Sequence, residues 1–425
     1  MSTPSLLNIP YVIKAGTLYS QIPETGAGDF TVTRATSPTT NRSTRVNANG
    51  FIELVNDGVP RLDYPLGGAV NGCASLLVEP SATNLVPNGL AYNAATGVNY
   101  DTTVTDSPAA SINGTRITKT VSGGPTLYGS QDCSNSALLG NTTYTISRFF
   151  KYDGYAFATS MEYNNSAQFG GTGWIQLINI ASTGVTLGTS TSCTGSVENY
   201  GNGWYRVAVR ITTGATITGG TPVAYLMRLP TALSTGQGFL TALPQLETGS
   251  IATSYIPTTT QAITRNTDVI RKTGITSLIG QSEGTVYFEV EVTDEARNKW
   301  FCTLDSSSTS FIQMWISTTR QISVQIQNSS SVVMSTLTSS ALSVGYHKVA
   351  FAYNTATNGC TMYIDGVQNP VSTRTIVAPG LPAFNDMSVG NFRSSTSDTL
   401  KAHIRADAVY PNRLTDPQLQ ALTTP

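Results

Sequence analysis

Catalysis near neutral pH needs groups that can take and give a proton, and this sequence holds few of them. Two histidines are present, His347 and His403. His347 stands in Tyr346-His347-Lys348-Val349 and His403 in Lys401-Ala402-His403-Ile404-Arg405. Neither adjoins a serine or cysteine motif, so a structural hydrogen-bonding part is expected for His347. Glycoside hydrolysis needs two carboxylates across the scissile bond. Glu289 and Glu291 alternate with Val290 and Val292, which places both carboxylates on one side of a strand. Val290 stands between them, and Asp294 and Glu295 fall out of register. The pair therefore reads as a solvated strand face, and the chain is expected not to be an enzyme.

Aromatic residues are the better candidates for binding. A sugar presents C–H faces that pack on a ring without any charge. Trp174 follows Gly170-Gly171-Thr172-Gly173, a loop edge, while Trp300 and Trp315 flank the start of the last strand-rich region. These three are the candidate glycan-binding residues. Each competes with a core position, the commoner fate of a large aromatic. Trp204, in Trp204-Tyr205-Arg206-Val207, is read as core. Asp305-Ser306-Ser307-Ser308 offers oxygen ligands of the kind calcium takes. No Asp-x-Asp-x-Asp-Gly loop or phosphate-binding glycine loop is found, so no other metal and no cofactor is expected. Five cysteines lie far apart with no Cys-x-x-Cys pair and read as free, mostly buried thiols.

The elements that must position these residues are strands. Charged residues make up 12% of the chain, against about 25% in an average globular protein. Ser, Thr, Asn and Gly take their place, and these favour strands and short turns over long helices. The 40% apolar content is enough to build cores, and at 425 residues two to four domains are expected. A net charge of −1 leaves no electrostatic footprint for nucleic acid. No run of about 18 apolar residues suggests a membrane span, and the start lacks a signal-peptide pattern.

The expected fold class is all-β: two antiparallel β-sandwich (jelly-roll) domains preceded by an irregular N-terminal region. Residues 85–257 alternate at period two in Thr143 to Phe150, Trp174 to Ile178 and Tyr205 to Ile211. Residues 283–425 do so in Thr285 to Val292, Phe311 to Ile316, Gln321 to Ile326 and His347 to Tyr353. Residues 258–282 read as a linker. Thr415 to Leu422 reads as a helix, with Thr415 as its cap and Pro417 in its first turn. Residues 1–84 carry only short apolar patches, too scattered for a core, and four arginines, Arg34, Arg42, Arg45 and Arg61. This region is expected to order against a neighbour, with Arg34, Arg45 and Arg61 as contact residues.

Three stretches carry resemblances. The run from Phe30-Thr31-Val32-Thr33-Arg34 through Thr44-Arg45-Val46-Asn47 and Val59-Pro60-Arg61-Leu62-Asp63-Tyr64 to Ser75-Leu76-Leu77-Val78-Glu79-Pro80-Ser81-Ala82-Thr83-Asn84-Leu85 resembles the N-terminal region of phage tail, fibre and head-decorating proteins. Asn202-Gly203-Trp204-Tyr205-Arg206-Val207, with Pro244-Gln245-Leu246-Glu247 and Ala252-Thr253-Ser254-Tyr255-Ile256-Pro257, resembles carbohydrate-binding-module-like jelly rolls. Gly345-Tyr346-His347-Lys348-Val349-Ala350-Phe351 with Met362-Tyr363-Ile364-Asp365-Gly366 is similar to laminin-G-like and concanavalin-like sandwiches. The resemblances imply a bacteriophage virion protein, a fibre, spike or decoration assembled in the host cytoplasm. They imply adhesion to host or environmental glycans, other virion proteins as partners, and a homo-oligomer. The alternative is a purely structural connecting protein that binds only other virion subunits, and a polysaccharide depolymerase is the third reading.

Overall fold

Alternating apolar and polar residues form strands because one face can be buried while the other meets water. The runs singled out above form strands, at Thr143–Lys151, Trp174–Ala181, Trp204–Thr212, Glu283–Val292, Ser310–Ile316, Ile322–Gln327 and Gly345–Asn354, although Thr143–Lys151 is buried on both faces. A computed structural model describes residues 3–9, 13–14, 17–34, 43–64, 72–87, 97–121, 127–132, 138–163, 173–217, 223–229, 233–295, 297–354, 359–370, 374–375, 383–393, 395 and 398–425. The protein is all-β. Among the described residues helix is confined to a 3-10 turn at Thr276–Leu278 and the C-terminal helix Asp416–Thr423, whose Thr415 and Gln418 form a capping box.

The central sandwich has a six-stranded sheet, in the order Val98–Val104, Gly114–Lys119, Gly238–Thr248, Thr143–Lys151, Trp204–Thr212 and Thr194–Gly201. Its five-stranded sheet runs Leu127–Asp132, Val223–Leu229, Phe157–Tyr163, Trp174–Ala181 and Gly184–Thr191. Phe150, Ile178, Val207, Val209 and Phe239 belong to one buried cluster of this sandwich.

The C-terminal sandwich draws on both ends of the chain. Its nine-stranded sheet contains Gly359–Ile364, Gly345–Asn354, Glu283–Val292, Ala402–Tyr410, Ser75–Val78 and Leu62–Asp63 in that order, and Leu6–Asn8 also pairs with Ala402–Tyr410. The facing seven-stranded sheet runs Val333–Thr338, Ile322–Gln327, Ser310–Ile316, Lys299–Ser307, Asp386–Val389, Val269–Lys272 and Thr31–Thr33.

This arrangement corrects the expectation for residues 1–84 and 258–282. The short apolar patches, unable to build a core alone, are completed by strands from the far end of the chain. Val32 pairs with Ile270, Ile270 with Val389, Leu77 with His403 and Leu6 with Val409. Deleting residues 1–84 would strip strands from both sheets. The supposed linker supplies an interior strand, Val269–Lys272. Ala82–Asn84 pairs antiparallel with Ile263–Arg265, so the central sandwich is an insertion hung on a two-stranded stem.

A buried ionic network holds the foot of that stem. Arg61 is fully buried and donates to Glu79 Oε2 at 2.7 Å, to Ser254 Oγ at 2.8 Å and to Asp268. Arg265 reaches Glu79 at 2.8 Å and the Pro80 carbonyl at 2.7 Å. Arg34 donates to Asp268 and to the carbonyls of Asn56 and Val59. This is a second correction: Arg34 and Arg61 bind the chain to itself and are closed to a partner. Arg45 is half-buried and pairs with Glu53 at 2.8 Å. Arg42 lies outside the described residues. Burial pushes the carboxyls of Glu79 and Asp268 up, but the surrounding arginines outweigh it and hold both below their ordinary values. Their stabilisation is present above the unfolded carboxylate pKa and is lost as pH falls through the depressed folded values.

A different buried acid lies further along. Asp407 is fully buried on the strand that receives Leu6–Asn8, and Asn8 Nδ2 donates to it at 2.9 Å. Burial pushes its carboxyl up to about 7.

Two outcomes follow from these groups. Arg61→Ala should cost about 3–5 kcal/mol at neutral pH, because two buried carboxylates lose a shared cation. The urea midpoint measures this, and the gap from wild type should narrow below about pH 4, where unfolded carboxyls protonate. Asp407 has the opposite sign: its contribution is lost as pH rises through about 7. Asp407→Asn should flatten the fall in thermal midpoint between about pH 4 and about pH 7, the unfolded and folded values of this carboxyl.

Candidate functional site

Along Ser310–Ile316, alternation sends Ile312, Met314 and Ile316 into the sandwich core. Phe311, Gln313 and Trp315 turn to the outer face of the seven-stranded sheet. Trp300 is the cross-strand partner of Trp315. A bulge lies between Trp300 and Cys302. It lets Phe301 and Cys302 both join the core while Trp300 stays outside, since a bulge sets two residues against one.

The two half-buried indoles lie with ring centroids 6.0 Å apart and planes at 25°. Phe392 packs 5.9 Å from Trp300 and edge-on to Phe311 at 5.4 Å. Trp300 Nε1 donates to Gln313 Oε1 at 2.8 Å, and Gln313 Nε2 donates to Gln325 Oε1 at 2.7 Å. That relay fixes the amide orientations. It leaves Gln325 Nε2 and Trp315 Nε1 without a partner among the described residues. On the flanking strands Arg271 holds Asp305 through two bonds of 2.9 Å and Asp386 at 2.8 Å, and Arg393 adds a bond to Asp305 at 3.3 Å. The surface is aromatic and uncharged at its centre, with N–H donors beside the rings. Such a surface can pack the C–H face of a sugar and donate to its hydroxyl oxygens.

The structure thus brings Trp300 and Trp315 together and separates Trp174 from them. Trp174 is 2% exposed, in the core of the central sandwich. This corrects its expected role: Trp174, Gln176, Ile178 and Ile180 alternate onto the buried side of their strand. Trp204 is core as expected, with Nε1 donating to Asp106 at 2.9 Å. The Asp305 carboxylate is fully buried and bonded to Arg271 and Arg393. Cys302 and Cys360 are buried thiols, Cys193 is intermediate and Cys73 is exposed; Cys133 lies outside the described residues.

His347 is buried and bridges Asp365 at 2.6 Å and the Ser343 carbonyl at 3.0 Å, a structural arrangement. Glu289 and Glu291 do not form a solvated face. Glu289 pairs with Arg405 at 3.3 Å and Glu291 with His403 at 2.7 Å. Gly280-Gln281-Ser282-Glu283-Gly284 has the spacing of a nucleophile elbow. It leads into the Glu283–Val292 strand instead of leaving a strand for a helix, so the elbow geometry is absent there. Sequence reasoning missed Gln313, Gln325 and Phe392. The first two were detectable as glutamines on the same alternating face as Trp315; Phe392 lies outside any strand and carried no such pattern.

No family model matches the chain, and no curated protein matches it. Among solved structures it is similar to the Ruminococcus gnavus IT-sialidase CBM40 bound to alpha2,3 sialyllactose, at 15% identity and TM-score 0.31, over 34% of this chain and 84% of that one. It is similar to the NanB sialidase from Streptococcus pneumoniae at 14% identity and TM-score 0.31, over 36% of this chain and 26% of that one. A SAP-like pentraxin from Limulus polyphemus matches at 12% identity and TM-score 0.28, over 33% of this chain and 69% of that one.

The placement of the tryptophans predicts a contrast. Trp174→Ala empties a core site and should cost about 3–5 kcal/mol. Trp315→Ala removes a half-exposed ring and should cost clearly less, as read from paired denaturation midpoints.

Proposed function

We propose that the outer face around Trp300 and Trp315 is a glycan-binding surface and that the protein acts by adhesion, without cleaving what it binds. The observation that carries this is the cross-strand indole pair, held half-exposed on a sheet face beside two unpartnered N–H donors. The rings are braced by each other and by Phe392, so little side-chain freedom is lost on binding.

The resemblance of the Phe30 to Leu85 run to phage tail, fibre and decorating proteins supports a place on a virion, with host-surface polysaccharide as the ligand. With Arg34 and Arg61 internal, attachment to a particle falls to other surfaces of the chain.

Glycan-array binding of the full chain tests the reading. At least one surface polysaccharide should bind, and Trp300→Ala or Trp315→Ala should weaken it at least about tenfold, or about 1.4 kcal/mol, with the fold intact by circular dichroism. No new reducing ends should appear. An array with no ligand would leave the purely structural alternative standing, and binding that survives both substitutions would place the glycan site off this face.

A further inference from the structure

The opposite sheet of the same sandwich carries a feature that the aromatic face does not use. On the outer side of the nine-stranded sheet, Ser75, Glu291, Tyr346, His403 and Arg405 face a cavity of about 350 Å³. The Ser43–Val46 hairpin strand and Tyr64 form one wall; Tyr200, Arg206 and the segment from Ala252 to Tyr255 form the other. The cavity therefore exists only where the central sandwich is docked on the C-terminal one. Its size falls in the range of pockets that enclose small ligands.

Its floor is an imidazole held between two acids. His403 Nδ1 lies 2.7 Å from Glu291 Oε2 and Nε2 lies 2.9 Å from Asp63 Oδ2. Burial disfavours a charged ring there, but the two carboxylates outweigh it and keep His403 protonated well above its ordinary range. The Arg405 guanidinium stacks 3.5 Å from the centre of the Tyr346 ring. The lining then holds four cations, Arg45, Arg206, His403 and Arg405, and four anions, Asp63, Glu79, Glu198 and Glu291.

This balance selects the occupant. An anion would face the four carboxylates and a cation the four positive groups. An apolar molecule would strip water from charged walls without replacing its hydrogen bonds, which is costly. A neutral polyol avoids all three penalties. Its hydroxyls donate to carboxylate oxygens and accept from guanidinium N–H groups, and charge-assisted hydrogen bonds of this kind are the strong ones. Glu291 Oε1, the Tyr64 hydroxyl and Arg405 Nη2 have no partner among the described residues. They offer an acceptor, a two-way group and a donor, with the Tyr64 ring beside them for C–H packing.

We infer that this junction cavity is a second binding site, for a neutral saccharide unit, separate from the aromatic face. A ligand seated there touches both sandwiches and the N-terminal hairpin. Its binding must raise the thermal midpoint, because it binds the docked, folded state.

The test uses the full chain with glucose, galactose, N-acetylglucosamine, lactose and cellobiose at millimolar concentration, and with sulfate and N-acetylneuraminate as anionic probes. Thermal shift and saturation-transfer NMR are the readouts. At least one neutral sugar should raise the midpoint saturably. Arg405→Ala should weaken that sugar at least tenfold, and Trp315→Ala should leave it unchanged. Arg405→Lys, which keeps the charge but loses the planar fork, should also weaken it and serves if the alanine variant misfolds. The inference is overturned if no neutral sugar binds, if an anionic probe binds better, or if binding follows Trp315 and ignores Arg405. On the array, loss of binding with Trp300→Ala or Trp315→Ala reports on the aromatic face and loss with Arg405→Ala reports on the cavity, so the two proposals fail separately.

Discussion

Charges removed from water must be paired, and one cluster meets that requirement where the segments of this chain converge. Arg34, Arg61 and Arg265 share Glu79 and Asp268 at the foot of the stem, all of them buried. Five charged groups are contributed by separate stretches of chain, and Ser254 adds a hydroxyl and an amide from the end of the central sandwich. Breaking such a cluster leaves an uncompensated buried charge, while keeping it demands close geometry from every segment that enters it. The N-terminal strands, the stem and the returning chain are thereby registered against one another. The junction cavity, which borrows walls from all three, depends on that registration.

The C-terminal sandwich has two outer faces with different fates. On the nine-stranded sheet, Tyr287, Ala350, Ala408 and Tyr410 pack with Leu414 and Leu419, so the C-terminal helix and its lead-in cover part of that face. The central sandwich approaches another part, and the cavity forms there. On the seven-stranded sheet the Trp300–Trp315 pair remains half-exposed. A protein with only 12% charged residues has placed several of them inside, where they fix the architecture. Its aromatic face presents rings and amides instead of charges.

Much of this was legible from residue order alone. Period-two alternation located the long strands, because a buried face imposes its period on the sequence. The Thr415 cap marked the C-terminal helix. Trp204 read as core, and it is buried. These are local properties, written in neighbours two to four residues apart.

Tertiary structure decided what depends on distant partners. Short patches such as Thr31–Thr33 and Ser75–Val78 look like fragments until Val269–Lys272 and Ala402–Tyr410 pair with them. Arg34 and Arg61 look exposed among polar neighbours, yet the folded chain closes over them because Asp268 lies more than 200 positions away in sequence. Trp174 and Trp315 both begin or end alternating runs beside turns, and the sequence on its own cannot say which face of each sheet is covered. That choice belongs to packing: the alternating pattern specifies that a strand has two faces, and only the layers that meet it determine which one remains open to a ligand.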